Sequence, residues 1–252
     1  MTTHRKKSDK PRVICIGWHK TGTSTLGAAL LRLGHSVLGC RLDAYYPLVA
    51  GDKESALGIA DPFDALQDVP WAALYEELDA RFPGSKFILT VRDDNSWLRS
   101  ASRHFGDTPI PLHGWLYGEP SLSGNEQCYL ARYRRHNEDV RRYFADRPDD
   151  LLIMDLAAGD GWQKLCAFLD EPVPSAPFPR ENAAPASLTG HRKLRHLART
   201  HAPRFLRTSW FTLRLTYLRA RGRPDPRNRF NNFPQNRIEI EKYTAAHRAQ
   251  KK

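Results

Sequence analysis

Continuous apolar runs alternate with amphipathic stretches along residues 12–186. The predicted strands are residues 13–16, 35–40, 63–68, 86–92 and 151–155. The run at 86–92 is apolar on both faces, as expected of a central strand in a parallel sheet. Helical patterns between the strands fit crossover connections. The pattern therefore predicts an α/β domain in which a parallel sheet is flanked by helices on both faces.

A short polar loop follows the first strand and opens the first apolar helix. Gly17 and Gly22 have the spacing of the nucleotide triphosphatase P-loop, but Thr23 occupies the position of its Lys, and Lys20 supplies the cation instead. Free backbone N–H groups, the helix dipole and hydroxyl groups at such a helix start favour an anion. The predicted phosphate-binding residues are Lys20, Thr21, Gly22, Thr23, Ser24 and Thr25.

Arg92 and Ser100 predict a second phosphate anchor. Arg92 ends the strongest strand, and Ser100 lies eight residues later, about two turns along the next helix. A guanidinium group offers a planar fork of donors that matches phosphate oxygens, and Ser adds a hydroxyl group.

The loop K-[ST]-G-T-[ST]-[ST] beginning at Lys20 resembles the 5′-phosphosulfate loop of sulfotransferases that use 3′-phosphoadenosine 5′-phosphosulfate (PAPS). In that family an Arg after a strand and a Ser eight residues later bind the 3′-phosphate of the cofactor, as Arg92 and Ser100 would here. Residues 12–185 look like short members of this family, and the matching stretches are residues 16–23, 87–92, 161–166 and 178–182. The resemblance implies a P-loop α/β fold and transfer of a sulfuryl group from PAPS to a hydroxyl or amine acceptor.

Two family features are missing from the sequence. The Arg-Lys-Gly loop that completes the 3′-phosphate site of cytosolic sulfotransferases is absent, and no His matches their catalytic-base motif. Arg180 and Asn182 are candidates to replace the loop.

The resemblance assigns stabilisation of the in-line transition state to Lys20 and the loop amides, without a metal ion. The base that takes the acceptor proton should lie at the carboxyl end of the sheet. Asp68 is the first candidate, although an Asp before Pro70 is equally explained as a helix cap. Asp61, His19 and His113 are the other candidates, and a structural role is favoured for His19. His113 is expected in a loop, because residues 108–124 are rich in Pro, Gly and aromatic residues and are predicted to form a substrate-side insertion.

Composition indicates a globular protein. The chain has 252 residues and a mass of 28.8 kDa. It contains no apolar run of about 18 residues, so a cytoplasmic protein is expected, with four reduced cysteines in the core. No cysteine or histidine spacing predicts a metal site.

The net charge of +11 is concentrated at the C-terminus. Residues 187–252 contain 17 Lys or Arg and 3 Asp or Glu, whereas residues 1–186 contain 22 and 25. Three segments are therefore predicted: a basic tail at 1–11, the α/β domain at 12–186 and an Arg-rich helical extension at 187–252. The extension either packs on the domain or recruits an acidic acceptor or an anionic membrane surface.

Two other functions compete with sulfuryl transfer. A phosphotransferase or NTPase using ATP and magnesium would place a metal-binding carboxylate at Asp155, where a buried strand ends. A non-catalytic binder of membranes or nucleic acid would rely on residues 187–252, but such a protein needs no phosphate loop, and nucleic acid is not an expected partner. The sequence leaves the acceptor open among small molecules, glycans and lipids.

Overall fold

The computed structural model describes residues 10–41 and 44–181. Within them, five strands form one parallel sheet in the order β2-β3-β1-β4-β5. The strands are β1 (Val13–Cys15), β2 (Val37–Leu38), β3 (Ala65–Gln67), β4 (Lys86–Thr90) and β5 (Leu151–Met154). All five predicted strands are present, and the α/β class with its parallel sheet is confirmed. Asn182 and the predicted extension at 187–252 lie outside the described residues, so their roles stay predictions.

Eight α-helices connect and cover the described strands. They are α1 (Thr23–Arg32), α2 (Tyr45–Val49), α3 (Lys53–Gly58), α4 (Tyr75–Arg81), α5 (Asp94–Phe105), α6 (Pro111–Tyr117), α7 (Glu126–Tyr143) and α8 (Trp162–Leu169). Asp93 caps α5, and its side chain accepts a hydrogen bond from the Ser96 N–H.

The two faces of the sheet bury separate apolar cores, as the alternation along β1 requires. Ile14 and Ile16 pack on one face with residues of α3 and α4, whereas Val13 and Cys15 pack on the other with residues of α1 and α8. Both faces are therefore covered by helices.

A third core of largely aromatic residues lies beyond the carboxyl ends of the central strands, where α5, α6 and α7 meet. It includes Trp18, Trp97, Tyr117, Tyr129 and Tyr133, each at most 6% exposed. Residues 108–124, expected to form a substrate-side insertion, contain α6 and contribute to this core. The aromatic core therefore builds one wall beside the phosphate loop.

The cysteines only partly follow the prediction of core thiols. Cys15 and Cys166 are buried, whereas Cys40 is half-buried and Cys128 is exposed. All four are free. No described helix has the length and apolar content needed to cross a bilayer.

Candidate phosphate-loop site

The phosphate loop packs closely against the end of β4. A Cβ atom at Gly17 would lie 1.8 Å from Thr90 Oγ1 and 2.7 Å from the Thr90 nitrogen. Only glycine therefore fits where the chain leaves β1. At the other end of the loop, Gly22 has φ = 103° and directly precedes α1, a conformation that side chains with a Cβ disfavour.

Three backbone donors at the start of α1 are open. The N–H groups of Gly22, Thr23 and Ser24 have no hydrogen-bond partner within residues 10–41 and 44–181, whereas the Thr25 N–H donates to Gly22 O at 2.9 Å. Unpaired amides at the positive end of a helix dipole attract an anion. The loop thus offers an anion cradle of three open amides.

Lys20 is held in a left-handed conformation, with φ = 69°. Its carbonyl accepts a hydrogen bond from Arg92 Nη1 at 3.2 Å. The side chain is half-buried, and burial lowers the pKa of the Lys20 ammonium group, an effect that the nearby Asp68 opposes. Lys20 therefore lies between a carboxylate and a second cation beside the cradle.

The hydroxyl groups of the loop have different partners. Thr21 Oγ1 lies 2.6 Å from Thr90 Oγ1 and donates to Trp18 O, so this buried residue fixes the loop itself. Thr23 Oγ1 donates to Asp68 Oδ2 at 3.1 Å. Ser24 is half-buried, and its hydroxyl group makes no hydrogen bond within the described part of the chain. Its hydroxyl group is therefore the freest of the three to meet a phosphate oxygen.

Asp68 faces the loop rather than the helix that follows it. It comes directly after β3 with φ = 71°. Its carboxylate accepts hydrogen bonds from the Val69 N–H at 2.8 Å and from Thr23, and burial raises its pKa. The 3-10 turn Trp71–Leu74 has no side-chain cap, so the capping explanation for Asp68 is wrong.

Arg92 is fixed through its backbone and keeps free donors. The Tyr133 hydroxyl accepts from the Arg92 N–H at 2.9 Å and donates to Arg92 O at 2.8 Å. The ring of Tyr133 stacks on Trp97, with 4.4 Å between centroids. Arg92 Nε is buried without a partner in the described residues. These donors fit a phosphate group, and Ser100 lies half-buried on α5, the helix that follows Arg92.

Arg180 is exposed at the end of the described chain. The next residue, Glu181, is clasped to the loop: its N–H donates to Thr25 Oγ1 at 3.0 Å, and its carbonyl accepts from the same hydroxyl group at 3.2 Å. These two hydrogen bonds occupy the Thr25 hydroxyl, which was predicted to bind the cofactor. They also bring the backbone next to Arg180 to the start of α1.

Asp61 lies away from the loop. It precedes β3, and Arg12, which precedes β1, donates to the Asp61 carbonyl at 3.2 Å. In a parallel sheet these positions share the amino edge, opposite the loop. The Asp61 carboxylate also pairs with Arg81 at 2.8 Å. Its position excludes it as the base for chemistry at the loop.

The two histidine candidates are enclosed in the aromatic core. His113 belongs to α6, so its expected position in a loop is wrong, and burial lowers its pKa to about 3. His19 Nε2 contacts the Tyr117 hydroxyl, its carbonyl accepts from Trp97 Nε1 at 2.8 Å, and burial lowers its pKa. Burial disfavours the charged form of both imidazoles, and both rings pack inside the aromatic core, a position that fits the structural role favoured for His19.

Asp155 is engaged by its own turn. Its carboxylate accepts from the N–H groups of Ala157 and Ala158 at 2.9 and 3.1 Å. It follows β5, which lies two strands away from β1. One carboxylate oxygen of Asp155 is thus occupied by its own turn, two strands from the phosphate loop, and this geometry does not favour a magnesium site at Asp155.

The supporting residues Tyr133, Trp97 and Thr90 were not predicted from the sequence. They touch the loop or Arg92 from distant parts of the chain, and no local motif distinguishes them from ordinary core residues. The one sequence signal for Trp97 and Tyr133 is the helical spacing of apolar residues along α5 and α7, which indicates that these side chains are buried but not what they contact.

Comparison with known proteins identifies the family of the chain. The family described as "Sulfotransferase domain" matches residues 12–121 and 110–187. Ava biosynthesis cluster protein M of Aspergillus versicolor is 26% identical over 227 residues, covering 72% of this chain and 84% of the relative. The family match spans more than half of the chain, and the chain therefore belongs to the sulfotransferase domain family.

Proposed function

We propose that this sulfotransferase-domain protein transfers a sulfuryl group from PAPS to a hydroxyl or amine group of an acceptor. The observation that carries the proposal is that the open amides of residues 22–24 lie beside two cations and a carboxylate. Arg92 contacts the Lys20 carbonyl, and Asp68 contacts the Thr23 hydroxyl. Bound PAPS would supply a sulfuryl group whose leaving group is already a phosphate. The loop would hold the 5′ end of this donor, and Arg92 with Ser100 and Arg180 its 3′-phosphate.

In this proposal, the acceptor oxygen forms a bond to sulfur while the bond from sulfur to the bridging phosphate oxygen breaks. Lys20 and the loop amides stabilise the negative charge that develops on that oxygen. Asp68 takes the acceptor proton, and the products are the sulfated acceptor and 3′-phosphoadenosine 5′-phosphate (PAP). Burial raises the Asp68 pKa and so strengthens the carboxylate as a base.

The acceptor is proposed to be a small molecule. The name of the fungal relative associates that protein with a biosynthesis cluster, and the aromatic wall beside the loop suits a compact organic acceptor. Glycan and lipid acceptors remain alternatives, as does recruitment of an acidic acceptor or an anionic membrane through residues 187–252. A cytoplasmic location also remains a prediction.

A thermal-shift comparison of nucleotides tests the donor. PAP should stabilise the protein in the presence of EDTA, because a ligand that binds the native state raises its stability by mass action. At a hundredfold excess over Kd the gain is about 2.7 kcal/mol. ATP, with or without magnesium, is the matched control. Stabilisation only by ATP with magnesium would support the phosphotransferase alternative instead.

A further inference from the structure

Helix α7 lies over the carboxyl edge of the sheet and is hydrogen-bonded to it at two points. His136 Nε2 lies 2.7 Å from Ile16 O at the end of β1. Tyr133 holds both backbone groups of Arg92, as described above. These contacts determine which face of α7 is turned toward the phosphate loop.

Arg132 is the residue before Tyr133 and lies on the side of Trp18. Its guanidinium carbon is 5.0 Å from the centroid of the Trp18 ring. Trp18 Nε1 donates to the Tyr117 hydroxyl at 2.5 Å, which fixes the ring in place. The Arg132 guanidinium therefore packs against the fixed ring of Trp18, which precedes Lys20 by two residues in the sequence.

The Arg132 guanidinium is half-buried and makes no ion pair within the described residues. Its one hydrogen bond there runs from Nε to Leu116 O at 3.3 Å, so both terminal nitrogens keep their donors. On the same helix, Arg134 and Arg135 pair with Asp94 and Asp139. A partly desolvated cation without a carboxylate partner favours an anion.

Arg132 lies on the side of the loop where the turn after β3 packs. The two residues that it contacts, Trp18 and Leu116, belong to the same core as Val69 and Ala72, which follow Asp68 in the chain. Arg92 follows β4 on the other side of β1. The free guanidinium therefore belongs with the proposed base and acceptor.

We propose that Arg132 binds an anionic group of the acceptor, so that the acceptor is a hydroxyl or amine compound carrying a carboxylate or phosphate. This inference rests on the proposed sulfuryl transfer and defines its substrate class. The planar fork of Arg132 would pair with two oxygens of the anion, while the ring of Trp18 supports the guanidinium from below. Asp68 would then receive the proton of the acceptor group held beside the loop.

The first test measures binding without turnover. Wild type and Arg132→Gln, each with and without saturating PAP, are melted with phenylacetate, phenyl phosphate and the neutral phenylacetamide at equal ionic strength. Wild type should be stabilised more by the two anions than by the amide, and Arg132→Gln should lose that difference. Arg135→Gln removes the same charge from the exposed side of α7 and should respond like wild type. Saturating PAP blocks the phosphate loop, so the remaining anion effect reports the second site.

The second test uses acceptors that differ only in charge. In a PAP-release assay, 4-hydroxyphenylacetate is compared with 4-hydroxyphenylacetamide, and glucose 6-phosphate with glucose. Arg132→Gln should raise KM for the anionic member of a reactive pair by about 10- to 100-fold, the range expected for loss of a charged hydrogen bond, and leave the neutral member unchanged. Arg132→Lys keeps the charge without the fork and should fall between.

The outcomes separate the two proposals. Equal anion responses of wild type and Arg132→Gln would overturn the Arg132 inference, even if PAP binds both. Loss of the anion response in Arg132→Gln, together with no stabilisation of wild type by PAP, would retain the anion site and reject the PAPS assignment. Circular dichroism at the start of each melt checks that Arg132→Gln is folded, and Arg132→Lys provides the same comparison if it is not.

Discussion

Replacing Asp68 with Asn separates catalysis from stability, because the two should change in opposite directions. The Asn side chain has nearly the same shape and can still accept the hydrogen bond that the Val69 N–H donates at 2.8 Å. Its amide N–H can also donate to the Thr23 hydroxyl, which stands 3.1 Å from the carboxylate. The substitution therefore removes the negative charge and the basicity with little change in packing.

Loss of a general base should lower kcat/KM by about 10²- to 10⁴-fold, which corresponds to about 3–5 kcal/mol of transition-state stabilisation. In wild type, kcat/KM should fall as the pH drops through the raised pKa of Asp68, because the protonated acid cannot accept the acceptor proton. Asp68→Asn should lack this acidic limb. The assay is PAP release over a range of pH.

Stability should show the opposite trend. Burial raises the folded-state pKa of Asp68 above the ordinary Asp value of 3.8, so the folded state holds the proton more tightly than the unfolded state. The resulting stability is fully present below pH 3.8 and is lost as pH rises through the folded pKa. Thermal melts should therefore show Asp68→Asn gaining on wild type as pH increases.

Asp61→Asn is the matched control, since Asp61 lies at the opposite edge of the sheet. It should keep wild-type activity at every pH. An Asp68→Asn protein with wild-type kcat/KM and an unchanged acidic limb would refute the assignment of the base.

Three further substitutions test the loop and its surroundings. Lys20→Ala should lower kcat by about 10²-fold or more, whereas Arg92→Ala should chiefly weaken PAP binding, by about 10- to 100-fold in calorimetry. Arg99→Ala, at an exposed position on α5, is the control for Arg92→Ala. Unchanged PAP affinity of Arg92→Ala would remove the 3′-phosphate assignment. Gly17→Ala should lower the unfolding free energy by about 1–3 kcal/mol, since its Cβ would meet Thr90 at 1.8 Å. A Cβ at Gly114 meets nothing within 4 Å, so equal melting temperatures of Gly17→Ala and Gly114→Ala would contradict the close packing.

Local periodicity was sufficient to locate the strands but not their ends. The run at 63–68 predicted a longer strand than the observed Ala65–Gln67. The strand is short because its central partner, Val13–Cys15, has only three residues, which pair one to one with 65–67. The length of a parallel ladder depends on this distant partner, which no pattern within residues 63–68 can reveal.

The histidines show where the interpretation of the site from sequence was incomplete. His113 was assigned to a loop because the stretch around it is rich in Pro, Gly and aromatic residues. Pro111 at the first turn and Gly118 after the last residue are helix-boundary signals, but the helix between them has only seven residues. Its stability comes from packing against α7 in the aromatic core, which is a tertiary effect.

The backbone at Lys20 and Asp68 links the fold to the proposed chemistry. Both residues have positive φ, 69° and 71°, and such conformations in residues other than glycine cost about 1–3 kcal/mol each unless their surroundings hold them. Arg92 holds the Lys20 carbonyl, and the Ala72 N–H donates to the Asp68 carbonyl at 3.1 Å. The strained residues follow adjacent strands, β1 and β3, so the two turns place opposite charges on either side of the loop amides. A sequence shows which residues follow these strands, but their left-handed turns depend on Arg92 and Ala72, which is why the paired orientation of acid and cation emerges only in the folded chain.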